Sequence, residues 1–183
     1  MSIVNSTLQV LPVGSNDPGT YYLGLMPTTK GRTPATYASI GASYSPTTGT
    51  LNVTATRATY ADLAENYQAD KQYMPGTVLQ FGGVAEVTVA EPDTTRVAGI
   101  VSTNPAHLMN GSLQGSSVVP LALLGRVPCM IIGPVAKGDI LVSAGFGYAK
   151  ANNTPAPGQA IGKALEDFVS VAKGMIEVAI GKI

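Results

Sequence analysis

Residues 77–90 read TVLQFGGVAEVTVA. Two runs of alternating apolar and polar residues flank the pair Gly82-Gly83, the signal for a β-hairpin with a two-residue turn. The same grammar continues downstream. EPDTT (91–95) is a turn and RVAGIVS (96–102) a short apolar strand. VVPLALLGRVPCMIIG (118–133) is the most apolar region and reads as two adjacent strands broken at Gly125. In PVAKGDILVSA (134–144), Lys137, Gly138 and Asp139 form a tight turn between two strands, and QAIGKALED and GMIEVAIGKI close the series. Short strands punctuated by turns, without a long helix, predict an all-β barrel or a sheet folded over on itself.

Upstream the pattern changes. Thr59 can cap a helix, Asp62 follows three residues later, and Leu63 and Tyr67 share a face at i, i+4. One or two helical turns are expected over Tyr60–Asn66, ending before Pro75-Gly76. NPAHLMN (104–110) predicts a second short 3₁₀ or α turn, opened by Asn104-Pro105 and carrying His107, the only histidine. Residues 1–56 contain strand candidates in STLQVLPV, TYYLGLM, ASIGASYSP and LNVTAT. Polar turns such as SNDPG and PTTKGRTPAT separate them, and few of their residues are large and apolar. Such a segment is expected to be an extended β-arm that docks or oligomerises, with residues 57–183 forming the all-β domain.

Composition narrows the function classes. Charged residues make up only 12% and hydrophobic ones 45%, which suits a chain that hides surface in an assembly. Eleven basic and eleven acidic residues cancel, so no footprint for nucleic acid exists. No apolar run approaches the ~20 residues of a membrane-spanning helix, and no signal peptide is evident. Cys129 stands alone in VPCMII and reads as a buried thiol.

No constellation argues for catalysis, and neither a metal nor a cofactor is expected. His107 lacks a second histidine or cysteine for zinc, and Ser102 in VSTNP is no nucleophile elbow. A dyad of Lys137 with Ser102 or Ser143 has no supporting spacing. Asp62 and Glu65 could pair for glycoside chemistry, but acids at a helix N-terminus explain them more simply. The tyrosines favour subunit packing over a sugar site.

The run ATYADLAENYQAD, with YMPGTVLQFGG, RVAGIVSTNPAHLMN, LLGRVPCMIIGPVAKGDILVSA and IGKALE, resembles the C-terminal module of bacteriophage tail-fibre proteins over roughly residues 57–183. The motif residues are Tyr60, Ala61, Asp62, Leu63, Ala64, Glu65, Tyr67, Pro75, Gly76, Ser102, Asn104, Pro105, Gly125, Arg126, Lys137, Gly138 and Asp139, all taken as structural. The resemblance implies a virion structural protein made in the host cytoplasm, homotrimeric, partnered by other tail or capsid proteins. It leaves a host-surface glycan open as a further partner. A short tail fibre or baseplate appendage is the leading expectation, a capsid decoration protein the alternative. A self-processing chaperone domain is a minor third, since only ~60 residues precede the module.

Overall fold

The computed structural model describes residues 21–25, 37–45, 47–48, 50–53 and 61–181. Contacts divide the chain into two units, Met1–Arg57 and Ala58–Ile183. In the first, β1 (Tyr21–Leu25), β2 (Tyr37–Ser45) and β3 (Thr50–Val53) form an antiparallel sheet in the order β1-β2-β3. These strands fall on the candidates TYYLGLM, ASIGASYSP and LNVTAT. The STLQVLPV candidate, Thr59 and Tyr60 lie outside the described residues.

The second unit is β throughout its described residues. Its strands are β4 (Asp62–Gln68), β5 (Val78–Phe81), β6 (Val87–Val89), β7 (Val97–Val101), β8 (His107–Met109), β9 (Val118–Ile132), β10 (Ile140–Gly145), β11 (Tyr148–Ala151), β12 (Ala160–Ala164) and β13 (Lys173–Ile180). Five of them close a barrel: β9 pairs with β13, β13 with β12, β12 with β10, β10 with β11, and β11 returns to β9 through a parallel contact of Ala149 with Ile131. The remaining strands extend from the first half of β9, where Ala122 pairs with Ala64 of β4 on one edge and Ile100 of β7 on the other. No helix among the described residues is long and apolar enough to cross a membrane.

β9 is one strand, not two broken at Gly125. Its pairing with β4 skips a residue between Leu124 and Ala122, a β-bulge at Leu123 that reverses which parity faces which side. Before the bulge, Val119 and Leu121 enter a small core with Leu79, Val87 and Val101. Ala122 and, after the bulge, Val127, Cys129 and Ile131 enter the large core, with Leu141, Ala149, Ile161 and Val178 from the other barrel strands. Burying each such Val, Leu or Ile contributes about 1.5–3 kcal/mol. Cys129 is fully buried there, and burial pushes its thiol up to about 12.

Gly125 permits this arrangement. Its φ is +119°, and a Cβ would lie 2.2 Å from the carbonyl oxygen of Ala61 and 2.7 Å from Cα of Asp62. A glycine here does not interrupt the strand. It lets the start of β4 press against β9, where the Arg126 amide donates to the Ala61 carbonyl at 3.1 Å.

Both expected helical turns are strands. Residues 62–68 pair with β9 in register from Asp62↔Gly125 to Gln68↔Val118. Their buried face is Asp62, Ala64 and Asn66, so the period of two carries no apolar signal, and pairing overrides the helix-favouring Ala, Leu and Glu. NPAHLMN supplies β8, parallel to Leu63–Glu65 of β4. Reciprocal bonds hold its end: Asn66 Nδ2 donates to the Asn110 carbonyl (3.3 Å) and Asn110 Nδ2 to the Asn66 carbonyl (3.0 Å). The hairpin at Gly82-Gly83 exists, but Phe81 pairs with Val87, so residues 82–86 form the loop rather than two glycines alone. Lys137-Gly138-Asp139 forms the expected tight turn, the Asp139 amide donating to the Ala136 carbonyl at 3.0 Å, but it does not lie between two strands. It follows a single bridge of Val135 to Phe168 and leads into β10.

Replacing Gly125 with alanine is expected to cost about 3 kcal/mol or more, because the left-handed backbone and the contact with backbone atoms act together. Urea unfolding of the two proteins measures it. A loss below about 1 kcal/mol would mean that β4 can retreat from β9.

Candidate functional site

Five of the motif residues line one cleft, Ala61 among them. Asp62 comes from the start of β4, Ser102 and Asn104 from the segment linking β7 to β8, and Arg126 from β9 just past Gly125. Glu177 joins from β13, which sets it opposite Pro128 of β9. The linking segment is anchored at both ends: the Ser102 amide donates to the Pro120 carbonyl and the Ala106 amide to the Asp62 carbonyl, each at 2.8 Å. It therefore passes from one edge of β9 to the outer edge of β4 and brings Ser102 and Asp62 to the same cleft, about 320 Å³ in volume.

Two buried polar atoms beside this cleft are unpartnered. Asp62 is 6% and Ser102 2% exposed, yet Asp62 Oδ2 and Ser102 Oγ have no hydrogen-bond partner. Among the described residues the side chains of Asn104, Arg126 and Glu177 form neither hydrogen bond nor ion pair. A buried polar atom without a partner costs roughly 1–3 kcal/mol. Two beside one cleft are a standing expense of the fold.

The other sequence candidates are placed elsewhere. Asp62 and Glu65, three apart on a strand, face opposite sides, and Glu65 accepts from the Tyr67 hydroxyl at 3.0 Å, so the carboxylate pair is not assembled. His107 is exposed on β8, and Ser102 Oγ has no hydrogen bond to it. Ser143 is fully buried and its hydroxyl accepts from the Gly145 amide (3.1 Å), while Lys137 is exposed. Pro75-Gly76 forms a turn in which the Gly76 amide donates to Val101 and its carbonyl accepts from Met130, tying the start of β5 to β7 and β9. No group of three or more His, Cys, Asp or Glu among the described residues could hold a metal ion.

Asp139 organises the loop it was read in. Its carboxylate accepts from Asn153 Nδ2 and from the Ala136 amide, both at 2.8 Å, and these bonds, Asn153 first, hold its pKa below the usual aspartate value. The Lys137 amide donates to Asp167 and the Gly138 amide to the Ala164 carbonyl, both at 2.8 Å.

A second surface is apolar. Phe146, at the tip between β10 and β11, has φ 53° and is 86% exposed. It lines a hollow of about 330 Å³ with Met74, itself 75% exposed, Met130 and Tyr73. Val84, Val169 and Val171 are exposed on other loops.

No protein-family model and no curated protein matches the sequence. Thr103 and Glu177, which complete the polar cleft, were not singled out by sequence reasoning. Their only signal is a polar residue within an otherwise legible strand or turn.

Two outcomes follow. Ser102→Ala should leave thermal stability unchanged or raise it by up to about 1 kcal/mol, since it removes an unpartnered hydroxyl, and Asp62→Ala should not lower it. A loss above about 1 kcal/mol for Ser102→Ala would show that the hydroxyl has a partner. Because the folded pKa of Asp139 is depressed, its contribution is present above the ordinary aspartate value and lost as pH falls through the folded value. Asn153→Ala should therefore be less stable than wild type at neutral pH, with the gap narrowing as pH falls below the ordinary aspartate value in melts by circular dichroism. A gap independent of pH would contradict the assignment.

Proposed function

We propose that this protein is a bacteriophage virion structural protein, a short tail-fibre or baseplate-appendage subunit that acts by assembling with copies of itself as a trimer. The observation that supports this reading is the surface at Phe146. A large aromatic residue held in the left-handed region costs backbone energy, and its exposure beside Met74 offers apolar surface to water. A contact that covers the ring offsets the second cost. Low charge across the chain and the likeness of residues 57–183 to the tail-fibre module point the same way. A capsid decoration protein would use such a surface against neighbouring capsomers, so location separates the two.

Sedimentation equilibrium of the full chain should give a trimer, and the double variant Met74→Asp, Phe146→Asp should dissociate while keeping its β circular dichroism. Gold-labelled antibody should mark the tail of the particle. Label on the head would establish the decoration reading instead, and a monomeric wild type marking neither location would overturn both.

A further inference from the structure

We infer that the Phe146 ring of one copy seats in a groove beside Phe168 of the next copy, so that two different surfaces of this chain form one contact. The inference rests on the trimer reading and says what covers the ring. A three-fold ring joins each copy to the next through two unlike surfaces, whereas a surface that pairs with itself gives a two-fold dimer. The Phe146 surface is therefore one half of a contact, and the chain must carry a complementary half.

A groove of about 550 Å³ supplies it, with room for a phenyl ring. Val135 and Phe168, bridged to each other, line it together with Pro134 and Val169. Val169 is 91% exposed, and Val171 on the same loop 81%. The charges lining the groove are both acidic, Asp139 and Asp167, while the exposed Lys137 of the adjoining turn does not line it. Asp139 is committed to Ala136 and Asn153. Asp167 is exposed and accepts from the Lys137 amide with one oxygen, and its other oxygen has no hydrogen bond among the described residues.

The Phe146 surface matches the groove in sign. Lys71 is the one charged residue lining the Phe146 hollow; it is exposed, and it forms no ion pair among the described residues. The carboxylate of Asp70 beside it accepts from the hydroxyls of Tyr73 (2.6 Å) and Thr88 (3.0 Å). Two Phe146 surfaces meeting face to face would set Lys71 against Lys71. Seated on the groove, the ring brings Lys71 to an acidic rim, and unlike charges suppress the wrong pairing. Phe146 follows the end of β10 and Asp139 precedes its start, six residues or about 20 Å apart, and the two surfaces share no lining residue. One copy can therefore engage a neighbour with each.

Mixing two variants of the full chain tests this. Phe146→Asp breaks the ring side and Val169→Asp the groove side, both at exposed positions. Each should keep its β circular dichroism and sediment as a monomer at a concentration where wild type is a trimer. Unlabelled Val169→Asp added to nitrogen-15-labelled Phe146→Asp should shift the amides of Val135, Asp167 and Phe168, because that mixture restores one intact ring and one intact groove. Lys71→Gln and Asp167→Asn should each weaken wild-type assembly by up to about fivefold, and the double variant no further than either alone. A Val169→Asp variant that is still trimeric, or monomeric variants that mix without shifts, would overturn this contact and leave the assembly reading standing. A monomeric wild type would overturn both.

Discussion

The reversal of β9 at Leu123 is the constraint on which the second unit depends. A strand presents alternate residues to opposite sides, so an unbroken strand of this length would commit one parity to one core. By inserting a residue, β9 gives Val119 and Leu121 to the small core and Val127, Cys129 and Ile131 to the large one. The barrel and the strands that extend from it are thereby joined through a continuous backbone rather than a linker. Its cost is a bulge and a left-handed glycine two residues on, at Gly125.

That cost is coupled to the polar cleft. The absent Cβ of Gly125 lets β4 begin against β9, which sets Asp62 in its buried position, while the next residue, Arg126, projects to the exposed side. The link from β7 to β8 passes over the same place and adds Ser102 and Asn104. The junction of the two cores is thus also where unpartnered polar groups collect. Regular pairing elsewhere holds them there against their desolvation cost.

Much of the fold was legible. Strands β5, β6, β7, β10, β12 and β13 follow apolar or alternating runs bounded by Gly and Pro, and an all-β fold, barrel or folded-over sheet, follows from their number and shortness. What was hidden has a common cause. In β4 the buried positions Asp62, Ala64 and Asn66 are polar or small, so local composition spoke for a helix while the deciding bonds run to residues 118–125, far along the chain. β8 is fixed by a parallel partner more than forty residues earlier, a pairing no local pattern records. Gly125 was legible as a special backbone position but not as a close approach, because the atoms it admits belong to Ala61 and Asp62. Asp62, Ser102, Asn104 and Arg126 were all singled out, but as structural motif residues rather than as a cleft. Their convergence depends on the crossover from β7 to β8 and so required the structure.

Native-state hydrogen exchange along β9 tests the central claim most directly. If the bulged strand joins both cores into one cooperative unit, the amides of Val119, Leu121 and Ala122 and those of Val127, Cys129 and Ile131 exchange with the same free energy, equal to that of global unfolding. Earlier exchange of the first group, at a distinctly lower free energy, would show two separately folding halves and contradict the account.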